Sequence, residues 1–223
     1  MPTLRFSCTG AEADIYAAGP TINLHMQLNE DTGVRMHSVA LRCQLRIEPR
    51  KRGYTDTEAA KAVDLFGGRS RWAETMNPMQ LGEVAVMVPT FRYEVTVPVP
   101  VPLTYDVDIA ASKYLNALGD GPDSTVPLLI LFSGSAFYTP VEPGVGVQIA
   151  QVPWHEEAMF RLPVSVWRAA MESHFGNTGW IRLRCESLDT LLSYRSVHGI
   201  PSWEQTFEQL LKEAGFEGGA TDD

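Results

Sequence analysis

Little in this sequence marks a chemistry. Three cysteines, Cys8, Cys43 and Cys185, are scattered through 223 residues. Odd in number and far apart, they make neither a disulfide framework nor a Cys-x-x-Cys metal knuckle. No Walker loop and no Gly-x-Gly-x-x-Gly fingerprint occurs, and Ser133-Gly134-Ser135 departs from the Gly-x-Ser-x-Gly nucleophile elbow, so it reads as a turn. Gly144-Val145-Gly146 is a lone loop motif whose ordinary reading is a hairpin turn rather than a phosphate cradle. Basic charge is also short: 18 Lys and Arg stand against 27 Asp and Glu, a net charge of −9 at pH 7. That balance argues against general nucleic-acid binding, which needs Lys and Arg to neutralise phosphates. It also predicts repulsion from anionic membrane surfaces. The first residues carry no charged segment followed by an apolar stretch, so no signal peptide is read. No run approaches the roughly 18 apolar residues that a membrane span requires. The expected compartment is the cytoplasm, with no membrane insertion, and no cofactor is predicted.

What is present is a β pattern. Hydrophobic residues make up 44% of the chain and charged residues 20%, ordinary values for a chain that folds. The longest run without a polar residue is Val126 to Phe132, set between Gly121-Pro122 and Ser133-Gly134-Ser135. A short, continuously apolar run between turn signals reads as a strand buried on both faces. Around it the sequence alternates. Leu4, Phe6 and Cys8 suggest a short first strand, and Gly10 to Pro20 a loop. Ile22, Leu24, Met26 and Leu28 alternate with polar residues, as do Val39, Leu41, Cys43, Leu45 and Ile47. These two segments flank the turn at Asn29 to Gly33 and are expected to pair as a hairpin. Val84 to Val88, Phe91 to Val97 and Leu103 to Ala111 alternate in the same way. The Val97-to-Pro102 repeat of Val and Pro is expected at an edge or crossover, because each proline removes a ladder donor. Shorter strands are expected near 147–152 and 158–162, and another at Trp180 to Leu183.

Helical signals are fewer. Thr55 with Glu58 forms a capping-box pattern that opens an inserted helix over 55–66, ended by Gly67-Gly68. After Pro163 the apolar spacing changes to that of a helix at Val166, Trp167, Ala170, Met171 and His174. Leu188, Leu191 and Leu192 mark a second helix. Ser202 with Gln205 opens a third, which Gly215 stops. The expected fold is therefore mainly β, of the α+β kind: an antiparallel, Ig-like or similar β-sandwich over 1–162 with the inserted helix. A helical region over 163–215 is expected to pack on it as one unit, and 216–223 is expected to be a disordered acidic tail.

Three polar groups could carry function. In Trp154-His155-Glu156-Glu157, a strand would put His155 and Glu157 on one face, as two metal ligands or an acid–base pair. A solvated pair or a protein-contact surface is the commoner use of such residues, and Trp154 suits the latter. Asp106 and Asp108 share a strand face, most simply an exposed polar one. Arg42, Arg46, Arg50, Lys51 and Arg52 form a local basic patch in an acidic protein, either the solvated face of a strand or a seat for an acidic partner surface.

Several segments together resemble one family. They are Cys8-Thr9-Gly10, Leu41 to Gln44 with Ile47-Glu48-Pro49, Ser70-Arg71-Trp72, Leu131 to Gly134, Val152 to His155 and Arg161 to Val164. Nearly the whole chain is similar to a bacterial family of unknown function often encoded beside actinobacterial-type NiFe-hydrogenase genes. The resemblance implies an accessory or assembly role and supplies no catalytic residues. The expected function is a non-catalytic protein-binding or scaffolding accessory protein, its partner another protein such as a hydrogenase subunit or maturation factor. Its binding residues are expected among Trp154, His155, Glu157, Arg42 and Arg46. The alternative is a metal-binding protein or metal-dependent enzyme centred on His155 and Glu157.

Overall fold

The structure is a computed structural model and describes residues 2–103, 109–119, 121, 123–140, 142, 146–176, 181 and 183–216. Two compact units divide between Asn177 and Thr178. The first holds every described strand together with the helix that follows Pro163, which the sequence grouped with the later helices.

The first unit is an antiparallel β-sandwich. Its smaller sheet has the order β1 (Leu4–Ala13), β2 (Thr21–Glu30), β5 (Glu94–Pro102). Its larger sheet runs β4 (Met79–Val88), β3 (Arg35–Ile47), β6 (Thr125–Thr139). The far edge of β6 is shared by β7 (Gln148–Gln151) and β8 (Glu157–Pro163). Alternation explains the layering, since successive side chains of a strand point to opposite faces. Ile22, Leu24, Met26 and Leu28 of β2 face Val39, Leu41, Cys43, Leu45 and Ile47 of β3, and all nine are buried. Phe6 of β1 stacks on Phe132 of β6 across the core, ring centroids 4.5 Å apart. Each such side chain contributes roughly 1.5–3 kcal/mol by leaving water.

Several expectations are corrected. The segments Ile22–Leu28 and Val39–Ile47 do not pair: β2 bonds to β1 and β5, while β3 bonds to β4 and β6. The turn between them passes from one sheet to the other. It is held by the buried Glu30 carboxylate, whose Oε1 accepts from the Thr3 and Thr32 amides and the Thr32 hydroxyl, and Oε2 from the Val34 amide. β1 continues to Ala13 through a bulge between Cys8 and Gly10, where a loop was expected. Ser133-Gly134-Ser135 is no turn, because β6 runs through it. Gly134 has φ 143°, and a Cβ there would collide with the Ala40 carbonyl of β3. The expected strand over Leu103–Ala111 lies largely outside the described residues, and its last residues belong to a helix instead. Residues from Ile109 to Ala117 form α4, which buries Ala111, Tyr114 and Leu115 at helical spacing, with Leu118 buried just after it.

β6 is the central strand of its sheet, as the apolar run predicts. Its even positions from Val126 to Phe132 are buried in the sandwich, while Leu129 and Leu131 on the other face are only half-buried. β5 is an edge strand. Pro98, Pro100 and Pro102 take alternate positions, so the missing donors fall on the edge turned away from β2. At Thr55 the capping box forms and opens α1 (Asp56–Lys61); the helix breaks at Ala62 and resumes as α2 (Val63–Phe66) before Gly67. A short α3 (Trp72–Thr75) leads into β4. Pro163 caps α5 (Val164–Phe175), whose Val164, Trp167 and Ala170 are buried and which packs on β1, β2 and β8.

The second unit contains α6 (Cys185–Val197) and α7 (Trp203–Glu213). The Ser202 hydroxyl caps α7 by accepting from the Gln205 amide at 3.2 Å. Tyr194 donates to Glu213 at 3.0 Å, and the Arg195 guanidinium lies over the Trp203 ring at 4.8 Å. The expected strand at Trp180 to Leu183 and the expected disordered tail lie largely outside the described residues. No described helix is long and apolar enough to cross a membrane.

Candidate functional site

The outer face of the larger sheet gathers most of the polar residues singled out above. Pairing registers fix its rows. Arg46 of β3 stands opposite Leu129 of β6, which stands opposite Met159 of β8. The next row is Gln44, Leu131 and Glu157, and Arg42 follows opposite Ser133. Arg42 pairs with Glu83 of β4 at 3.0 Å, and Arg46 donates to Gln44 at 3.1 Å. Farther along the same face lie Met87 on β4 and Ile149 on β7, opposite Ala40 and Phe137 respectively. Met87, Ile149 and Met159 are exposed.

Trp154 and His155 form the turn that leads into β8, so the alternation that would align His155 with Glu157 starts only after them. Trp154 is 90% exposed. His155 packs edge-on against it, and its Nε2 is 3.7 Å from Glu156 Oε1, beyond hydrogen-bonding length. Arg42, Arg46 and Glu157 thus share one face, with Trp154 and His155 at its rim. Among the described residues no group of three or more His, Cys, Asp or Glu side chains is placed to hold a metal ion. Asp106, Asp108, Gly144 and Val145 lie outside the described residues.

At the Ile47 end of this face is a cavity of about 520 Å³ lined by Arg50, Lys51, Arg52, Gly53, Asp123, Thr125 and Arg161. Pro49 opens a single 3₁₀ turn as β3 ends, and this turn carries Arg50 and Lys51. Arg161 comes from β8, two rows below Glu157 on the outward side, and Thr125 from the first position of β6. The basic run of the sequence therefore divides. Arg42 and Arg46 lie along the sheet, while Arg50, Lys51 and Arg52 meet Arg161 at its end. The contribution of Arg161 was missed, because one arginine between Phe160 and Leu162 reads only as an outward strand position.

The four cations differ in what already holds them. Arg50 donates through Nε to the Met76 carbonyl at 2.6 Å and through Nη2 to that of Ala73. Arg52 is largely shielded from solvent and gives Nη2 to Glu58 Oε1 at 2.7 Å, with its guanidinium over the Tyr54 ring. Glu58 also accepts from the Gly119 and Thr55 amides. Burial opposes ionisation of Glu58, but those amide bonds and Arg52 outweigh it and hold the carboxyl below the usual carboxylate range. Beside this pair the Tyr54 and Tyr114 hydroxyls bond at 2.8 Å, and burial pushes both phenols up. Lys51 and Arg161 are exposed. Lys51 Nζ lies 3.6 Å from Met159 Sδ, and neither residue has an ion-pair partner among the described residues.

Compared with known proteins, residues 1–218 match the model of a family of unknown function, DUF6084. No curated protein matches the chain.

Proposed function

We propose that this chain, which belongs to the DUF6084 family of unknown function, is a non-catalytic accessory protein that holds another protein on the outer face of its larger sheet. One observation carries the reading: Met87, Ile149, Met159 and Trp154 remain exposed around Arg42 and Arg46, on and beside one sheet face. Aromatic residues, methionine and arginine are the types enriched where interfaces become fully desolvated. Methionine also adapts its shape to a partner at small cost. Arg42 and Arg46 suit a partner that brings carboxylates. The family resemblance implies that this partner is a hydrogenase subunit or maturation factor.

Site-specific photocrosslinking in the native host tests this. A crosslinker at Trp154 or Met159 is expected to trap one discrete protein, identified by mass spectrometry as hydrogenase-linked. The same crosslinker at Gln27, on the outer face of the smaller sheet, is expected to trap none. Equal trapping from both faces, or none from Trp154 and Met159, would sink the proposal.

A further inference from the structure

We infer that the cavity at the Ile47 end of the larger sheet is a binding site for a small, multiply charged phosphate-class anion. The inference goes beyond the protein-binding reading and stands without it. Arg52 is neutralised by Glu58, which leaves Arg50, Lys51 and Arg161 facing the space against Asp123, the one carboxylate among the described lining residues. These cations approach from two sides, the turn after β3 and the outward edge of β8. Two of them, Lys51 and Arg161, have no carboxylate of their own among the described residues, in a chain that carries nine more acidic than basic charges. Arg50 and the neutralised Arg52 are held in place. Arg50 is held by two backbone carbonyls and Arg52 by a buried ion pair, so the wall that receives the ligand is in place before it arrives.

The lining also sets the ligand class. Every side chain in it is charged or hydroxyl-bearing, and Gly53 supplies backbone. Among the described lining residues none is aromatic or aliphatic, so they offer no surface on which a nucleobase or acyl chain would rest. A space of 520 Å³ exceeds what one phosphate fills and falls within the usual range for small-molecule sites. Arginine forks bind phosphate oxygens in pairs, and Lys51 adds a mobile point charge. Asp123 would accept from ligand hydroxyls and Thr125 would donate to a phosphate oxygen. The shared chemistry is therefore two or more phosphate groups, either directly linked or carried on a polyol.

Calorimetric titration of the full chain at low salt decides it, with inorganic pyrophosphate and fructose 1,6-bisphosphate as separate probes. The expected result is one saturable site per chain for at least one probe. Affinity should fall about tenfold or more in Arg161→Ala and in Lys51→Ala, as loss of a charge-assisted contact requires. Arg5→Ala, which removes an exposed arginine paired with Asp31 on β1, should leave it unchanged. If the bisphosphate binds tighter and Asp123→Asn removes that advantage, the ligand is of the polyol kind; equal binding of both points to linked phosphates. No saturable binding of either probe would overturn the inference, as would binding that Arg161→Ala and Lys51→Ala both leave intact. Because both residues are exposed, matching melting curves would establish that the variants are folded.

Discussion

Arg52 and Glu58 face each other at 2.7 Å with side chains only 10% and 7% exposed. The pair ties the chain after β3 to the first turn of α1. Glu58 in turn binds Gly119, just beyond α4, so one carboxylate joins three segments. Taking two charges out of water is costly, and removing one partner leaves the other stranded, at a penalty of about 3–5 kcal/mol. Glu58→Gln is expected to lower the unfolding free energy by an amount of that order in urea titration. Replacing both, as Arg52→Met with Glu58→Leu, is expected to recover a large part of it. A loss under about 1 kcal/mol in Glu58→Gln would show that the pair contributes no more than a surface contact does.

The same carboxylate, with Glu30, sets an acid limit. Burial disfavours charge on both, but donors from Thr32 and Thr3 at Glu30, and from Gly119, Thr55 and Arg52 at Glu58, hold both below the ordinary range. The unfolded chain, with ordinary values near pH 4.3, then binds more protons than the folded one as pH falls. Their stabilisation is complete above that pH and is lost as pH drops through the folded values. Melting temperature should fall steeply below about pH 4.5. In Glu30→Gln it should start lower at neutral pH and fall less steeply on acidification. An unchanged acid slope in that variant would exclude Glu30 as a source of the limit.

Gly134 admits no side chain. At φ 143° it lies in a region that L-residues avoid, and its missing Cβ is what lets β3 come close at Ala40. Gly134→Ala is expected to destabilise the fold by about 2–4 kcal/mol, through backbone strain and displacement of a central strand pair. Ser133→Ala and Ser135→Ala, its neighbours in the same strand, should change stability by less than about 0.5 kcal/mol. Thermal denaturation of the three variants separates the effect of the glycine from that of its surroundings.

Thiol chemistry should be confined to one cysteine. Burial pushes Cys8 up to about 11, and burial with the neighbouring Cys8 pushes Cys43 up to about 12. Both stay protonated at neutral pH, and the thiolate is the reactive form. Cys185, at the start of α6, is exposed. Ellman's reagent at pH 8 should therefore titrate one thiol in the folded chain, lost in Cys185→Ser, and three after denaturation. Rapid reaction of three thiols in the folded chain would contradict the burial of Cys43 and the partial burial of Cys8.

Faces were legible in the sequence, and partners were not. The alternation of Ile22–Leu28 and of Val39–Ile47 assigns inward and outward positions correctly, because a side-chain period of two follows from strand geometry alone. It says nothing of which strand lies alongside, so β2 and β3 were paired with each other when each bonds elsewhere. The Thr55–Glu58 box was legible because its bonds are local. Ile109 to Ala111 fit the end of the Leu103–Ala111 alternation as well as a helical spacing, and packing of Tyr114 and Leu115 settles it for the helix. The candidate site divides in the same way. Arg50, Lys51 and Arg52 are contiguous and were read as a patch. Arg161 joins them only through the register of β8 on β6, a long-range pairing that no local pattern encodes.

The alternating prolines of β5 have a consequence for how molecules of this chain meet one another. An open strand ordinarily offers its unused amides and carbonyls to any extended segment that passes, and sheets grow from molecule to molecule in that way. With Pro98, Pro100 and Pro102 on that side, β5 offers carbonyls but no amides there over its last five residues. An incoming chain would have half its hydrogen bonds unmet. The smaller sheet thus ends where it does in a crowded solution as well as in isolation, and fibrous self-association is blocked at this edge by the same residues that close the fold.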